Sequence, residues 1–232
     1  LFETNHPRVQ ERALDCLARL IRDNAETAEA ACWNHDLVGM AVRFVRDHRP
    51  PVRLLACNVL SSLMRAGLVD KMTATNSAEV SAVVIPTLVK LFHEPQTRVE
   101  APAVLGALVA DSERLQKAAC DADALNKIVA ILKDSPEKAP ALFESALRSM
   151  AALTSSRDES RKVVLDEKVL PIILAALQSD SSPLRAAAAI CLQSLSRSIK
   201  TLRSSLADCS VVEPLLALLD DESDEVKCAA LG

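Results

Sequence analysis

Apolar residues recur along this chain three and four positions apart, and the blocks they form return at a nearly fixed distance. Pro51-Val-Arg-Leu-Leu-Ala-Cys-Asn-Val-Leu60-Ser-Ser-Leu63-Met-Arg65 aligns without a gap on Pro183-Leu-Arg-Ala-Ala-Ala-Ala-Ile-Cys-Leu192-Gln-Ser-Leu195-Ser-Arg197. A pair of leucine-like residues three apart recurs at Leu17/Leu20, Leu60/Leu63, Leu105/Leu108, Met150/Leu153 and Leu192/Leu195, at intervals of 43, 45, 45 and 42 residues. A sixth copy opens at Glu225-Val226-Lys227. Spacing of i, i+3, i+4 and i+7 predicts amphipathic helices with these pairs in the core.

Ahead of each long block stands a second apolar one, at 37–45, 83–91, 125–132, 169–177 and 211–219. Pro86, Pro171 and Pro214 fall at the same place in three of them, which predicts the first helical turn, where a missing N–H is harmless. A shorter, more polar helix precedes these, as at 112–121, 157–166 and 198–208. Residues 73–82 and 133–140 read as polar connections. Three helices in 42–45 residues is the size of an armadillo or HEAT unit. One such unit exposes too much apolar surface to stand alone, and its neighbours cover it. The expected fold is all-α: a right-handed superhelical solenoid of about five repeats plus a partial sixth. Because both ends fall inside a repeat, residues 1–232 read as a single solenoid segment truncated at both ends.

Composition narrows the function. Four Gly among 232 residues disfavour a turn-rich β fold and leave no glycine loop to cradle phosphate. A net charge of −4 with 2% aromatic residues supplies neither the basic footprint nor the stacking platform of a nucleic-acid binder. The densest apolar stretch, 169–177, is nine residues with a proline inside, far short of the roughly 20 that span a bilayer. Seven cysteines without a C-x-x-C pair fit a reducing compartment better than a disulfide framework. Neither nucleic acid nor membrane is an expected partner.

The Pro/Ser-x-Val/Leu-Arg opening of the long helix, the Val-Leu-Pro-x-Leu block and the three-helix period resemble the armadillo-repeat family. From about Pro102 to Pro214 the chain is most similar to the armadillo subunits of GID/CTLH ubiquitin ligase complexes, carried by the stretch Pro102-Ala-Val-Leu-Gly-Ala-Leu-Val-Ala-Asp-Ser-Glu-Arg and by Cys191-Leu-Gln-Ser-Leu-Ser-Arg-Ser-Ile-Lys. That resemblance implies a non-catalytic scaffold joining a substrate receptor to the RING-bearing core, with other ligase subunits, CTLH-domain ones included, as partners. It also implies residence in the cytoplasm, the nucleus or both. In that family the receptor groove is built largely by later repeats. The alternative is an importin-like adaptor, which would carry a Trp/Asn ladder on its long helices. The matching positions hold Asp15/Arg19, Asn58/Ser62, Ala103/Ala107, Arg148/Ala152 and Ile190/Ser194, and Trp33 lies in another helix.

No nucleophile elbow, H-E-x-x-H or Walker loop is present. Cys32 and His35 are the only close Cys/His pair and lack two further metal ligands, so no metal or cofactor is expected. Cys16 and Cys191 precede anchor leucines and read as core residues. The acidic run 220–225 reads as a solvated loop favouring the helix N-terminus after it, not as an EF-hand. Arg53, Arg98, Arg185 and Lys227 share one repeat position, with a structural pairing between repeats expected. Arg22, Arg65 and Arg197 share another, near Arg148, Asn58, Ser62 and Ser194. These seven are the candidate protein-binding residues; the row either lines a groove for a carboxylate-bearing segment or is a solvated face.

Overall fold

A computed structural model describes residues 6–22, 24–34, 36–72, 77–134, 139–197 and 211–231. Every regular element among them is helical. The chain divides into two compact units, Leu1–Leu108 and Val109–Gly232.

The first unit holds α1 (Pro7–Ile21), α2 (Ala25–Asn34), α3 (Leu37–Phe44), α4 (Pro50–Arg65), α5 (Leu68–Met72) and α6 (Ser77–Leu91), and ends within α7 (Ala101–Val109). The two long helices α1 and α4 lie against each other, and α3 and α6 cover α4. Paired prolines open α4, where lost N–H groups have no partner to miss. Gly67, at φ 68°, takes the left-handed conformation just past its end. At the head of α3, the Asp36 side chain accepts from the Gly39 N–H at 2.9 Å. A Cβ on Gly39 would stand 2.2 Å from that carboxylate, so a larger residue there would make the Asp36 side chain shift. Val52, Val59, Leu60, Leu63, Val84, Leu88 and Leu91 form the fully buried centre.

Several expectations are corrected here. Leu17 and Leu20 are not core: Leu20 is 57% exposed, whereas Leu60, Leu63, Met150, Leu153 and Leu195 are fully buried. The buried face of α1 is Leu14, Ala18 and Ile21, turned toward α4. Cys16 is exposed as well, although Cys191 at the same repeat position is buried. Pro86 lies deep inside α6 and not in its first turn. Asp70 anchors an earlier start, accepting from both the N–H and the hydroxyl of Ser77 at 2.7 Å. Ala82, whose carbonyl loses its partner at Pro86, is exposed to solvent, as is the proline. Residues 77–82, expected as a loose connection, are therefore helix. The third long helix, α7, is short, and Arg98 sits exposed in the turn before it.

The second unit holds α8 (Glu113–Asp121), α9 (Ala124–Lys133), α10 (Pro140–Thr154), α11 (Asp158–Asp166), α12 (Leu170–Ala176) and α13 (Ser182–Ser196). It continues with α14 (Val212–Ala217), one 3-10 turn (Leu218–Asp220) and α15 (Asp224–Leu231). Long helices α10 and α13 pack along each other, α9 covers α10, and α15 follows on α13. Pro171 and Pro214 fall in the first turns of α12 and α14, as the spacing predicts. Asp123 and Lys168 occupy the same inter-helix turn one repeat apart, and both are left-handed, at φ 67° and 57°. The helix expected at 198–208 and the residues His35 and Cys209 lie outside the described residues.

Candidate protein-binding surface

The repeat position of Arg53 and Arg185 has a clear structural role. Arg185 grips Asp221 with two parallel bonds, Nε to Oδ2 at 2.7 Å and Nη2 to Oδ1 at 2.8 Å. Its third nitrogen, Nη1, donates to the Ser179 carbonyl at 2.8 Å. The start of α13 is thus tied to the loop ahead of α15. That bidentate bond raises the Arg185 pKa and lowers that of Asp221. Arg53 makes a looser version of the link, 3.8 Å from Glu94. In the acidic run, Asp221 serves this pair, while Asp224 and Glu225 stand in the first turn of α15.

The candidate row divides between the units. In the first, Arg22 caps the C-terminus of α1 and Arg65 ends α4; both are exposed. Asn58 is half-buried and Ser62 buried on α4. In the second, Arg197 is exposed at the end of α13. Arg148 is half-buried between two carboxylates, Nε to Glu144 at 2.9 Å and Nη2 to Glu225 at 2.7 Å. Burial works against its charge, but the bonds to Glu225 and Glu144 prevail and its pKa is raised. Ser194 is buried; its hydroxyl donates to the Ala151 carbonyl at 2.7 Å and meets the Thr154 hydroxyl at 2.9 Å. Arg22, Arg65 and Arg197 present guanidinium groups at the surface, whereas Arg148, Ser62 and Ser194 are built into the packing.

Two polar residues that the sequence reading passed over are among the best connected. Arg161 is buried on α11, donating to the carbonyls of Ser155 at 2.6 Å and Ser194 at 3.1 Å and to Asp158 at 2.6 Å. Gln116, fully buried on α8, donates to the Val109 and Ala110 carbonyls and to the Ser155 hydroxyl. They stand one repeat period apart, and that recurrence of a polar side chain early in the short helix was their only sequence signal.

Among the described residues no group of three His, Cys, Asp or Glu is placed to hold a metal ion. No described helix is long and apolar enough to cross a membrane. Trp33 is 72% exposed on α2.

Comparison with known proteins accords with the repeat architecture. The HEAT repeat family matches residues 169–199. GID complex subunit 5 of Schizosaccharomyces pombe is 34% identical over 214 residues, covering 80% of this chain and 27% of that protein. Armadillo repeat-containing protein 8 of Danio rerio is 28% identical over 244 residues, covering 94% of this chain and 36% of that protein. The chain thus spans about a quarter to a third of the length of these relatives. Among solved structures, an engineered protein superposes with a TM-score of 0.77 at 22% identity, covering 100% of this chain and 91% of that one. A designed armadillo repeat protein superposes with a TM-score of 0.76 at 16% identity, covering 99% of this chain and 94% of that one. Helical period, stacked long helices and these likenesses converge: the chain belongs to the armadillo/HEAT-repeat family.

Proposed function

We propose that this chain is part of a non-catalytic scaffold in a GID/CTLH-type E3 ubiquitin ligase, linking a substrate receptor to the RING-bearing core. The observation that carries the reading is the 34% identity to GID complex subunit 5 across 80% of the chain. An array of stacked helices suits a part that holds others in place. In this reading residues 1–232 act as one repeat array, other ligase subunits are the partners, and the assembly works in the cytoplasm, the nucleus or both.

Within that scaffold, Arg22 and Arg65 in the first unit and Arg197 in the second are the contact residues, with Asn58 on the same helix as Arg65. A guanidinium pairs with a carboxylate through two parallel bonds, so repeated arginines suit an extended acidic or C-terminal segment of another subunit. Solvent-exposed pairs are weak singly, so losing two should cost about 1–2 kcal/mol, and less at high salt. The test is Arg65→Ala together with Arg197→Ala in the full-length protein, read by co-purification of the complex at two salt concentrations. Reduced assembly at low salt supports the row; unaffected assembly at both makes it a solvated face.

A further inference from the structure

The second unit contains an open groove of about 880 Å3, within the size range of ligand sites. Its floor is Phe143 and Leu184, and its solvent-facing walls are Pro140, Pro171, Ile172 and Ala175. The prolines stand there because they open α10 and α12. Gln178 on the rim is exposed and can bond a peptide backbone.

The lining carries two charged side chains, Lys133 and Asp180, in different surroundings. The Lys133 ammonium is bonded to Glu167 and the pair is neutral. At the Asp180 end of the lining sequence, three carboxylates, Asp180, Asp221 and Glu222, act on the guanidinium of Arg185. Asp221 takes two of its nitrogens and the carbonyls of Ser179 and Asp180 take the third. Lys227 also acts on Asp221 and bonds Asp224, so two positive charges face four negative, and the excess stands at Asp180 and Glu222, both exposed. The N-terminus of α13 offsets about half a unit of it. An anionic occupant is therefore disfavoured at this end, and a cationic one is attracted.

We propose that the groove binds an extended peptide segment of a partner protein in which apolar residues are followed, within about four positions, by arginine or lysine. The apolar side chains lie on Pro140, Pro171, Ile172 and Ala175, and the basic residue reaches Asp180 and Glu222. This is a docking site separate from the arginine row, with the opposite charge preference.

The experiment selects random dodecapeptides by display against the full-length protein and measures the recovered sequences by fluorescence anisotropy. Enrichment of apolar residues followed by Arg or Lys is expected, with affinity that falls as salt rises. Asp180→Asn with Glu222→Gln should weaken these peptides about tenfold, as should Ala175→Gln, which fills the groove with a good helix former. Circular dichroism checks that each variant is folded, and Arg65→Ala with Arg197→Ala should leave binding unchanged. Selected peptides without basic residues, or peptides indifferent to both Ala175→Gln and the carboxylate change, would overturn the assignment.

Discussion

Arg161 on α11 donates from Nε to the backbone carbonyl of Ser194 on α13, 3.1 Å away, and so ties the short first helix of a repeat to its long last helix. Its Nη2 meanwhile satisfies the Ser155 carbonyl past the end of α10. Orphan carbonyls at helix ends need such donors when water cannot reach them. Arg161→Ala strips two carbonyls of a charged donor and should cost about 2–3 kcal/mol, read as a lower urea midpoint. Arg161→Lys should recover little of it, because an ammonium cannot serve both carbonyls with a planar fork. A midpoint unchanged in both variants would mean that the link contributes nothing to stability.

The repeat register can be checked with two leucines at equivalent positions. Leu195 is fully buried on α13, so Leu195→Ala should cost about 2–5 kcal/mol. Leu20 is largely exposed on α1, so Leu20→Ala should change stability by no more than about 0.5 kcal/mol. Equal effects in thermal melts would show that the face of α1 has been assigned wrongly.

Cysteine chemistry separates inside from outside. Burial pushes the Cys57 and Cys191 thiols up to about 12, so both stay protonated and shielded at pH 8. Cys16 and Cys228 are exposed. Brief iodoacetamide treatment of the native protein should modify Cys16 and Cys228 and spare Cys57 and Cys191 until denaturant is added. Peptide mass spectrometry reads the result; early labelling of Cys191 would contradict the packing of α13.

Acid should weaken the α1–α4 contact. Arg49 bonds Asp47 through Nε and Nη2 and reaches the Gln10 side chain at 3.0 Å and the Pro7 carbonyl at 3.1 Å. The bonds from Arg49 hold the Asp47 carboxyl at about 2. In the unfolded chain it protonates near 3.9. Its contribution is therefore complete above about pH 4 and drains away as the pH falls toward 2. Asp47→Asn should lower stability at pH 7 and flatten the loss over that acid window, measured by chemical denaturation. An unaltered pH profile would remove Asp47 from the account.

The helices were legible wherever a repeat had both neighbours. α4, α10 and α13 follow the apolar spacing because each is covered on two sides, so position in the repeat and burial coincide. Leu17, Leu20 and Cys16 carry the same spacing, yet Leu20 and Cys16 are exposed. Periodicity reports what a residue is suited to, not whether a neighbour is there. Pro86 misled in another way, since proline marks a first turn only when nothing upstream extends the helix. The pairing of Arg185 followed from its repeat position, but its partner Asp221 did not, because an acidic loop offers several equivalent carboxylates. Arg161 and Gln116 escaped notice because polar residues in short helices ordinarily face solvent.

The central claim is that the chain serves as a scaffold among ubiquitin ligase subunits. Affinity purification of the tagged full-length protein from its own cells, with mass spectrometry of the co-eluting subunits, tests it most directly. A RING-bearing subunit, CTLH-domain subunits and a substrate receptor should be recovered in near-stoichiometric amounts. Recovery of nuclear-transport factors, or of no ligase subunit at all, would contradict it.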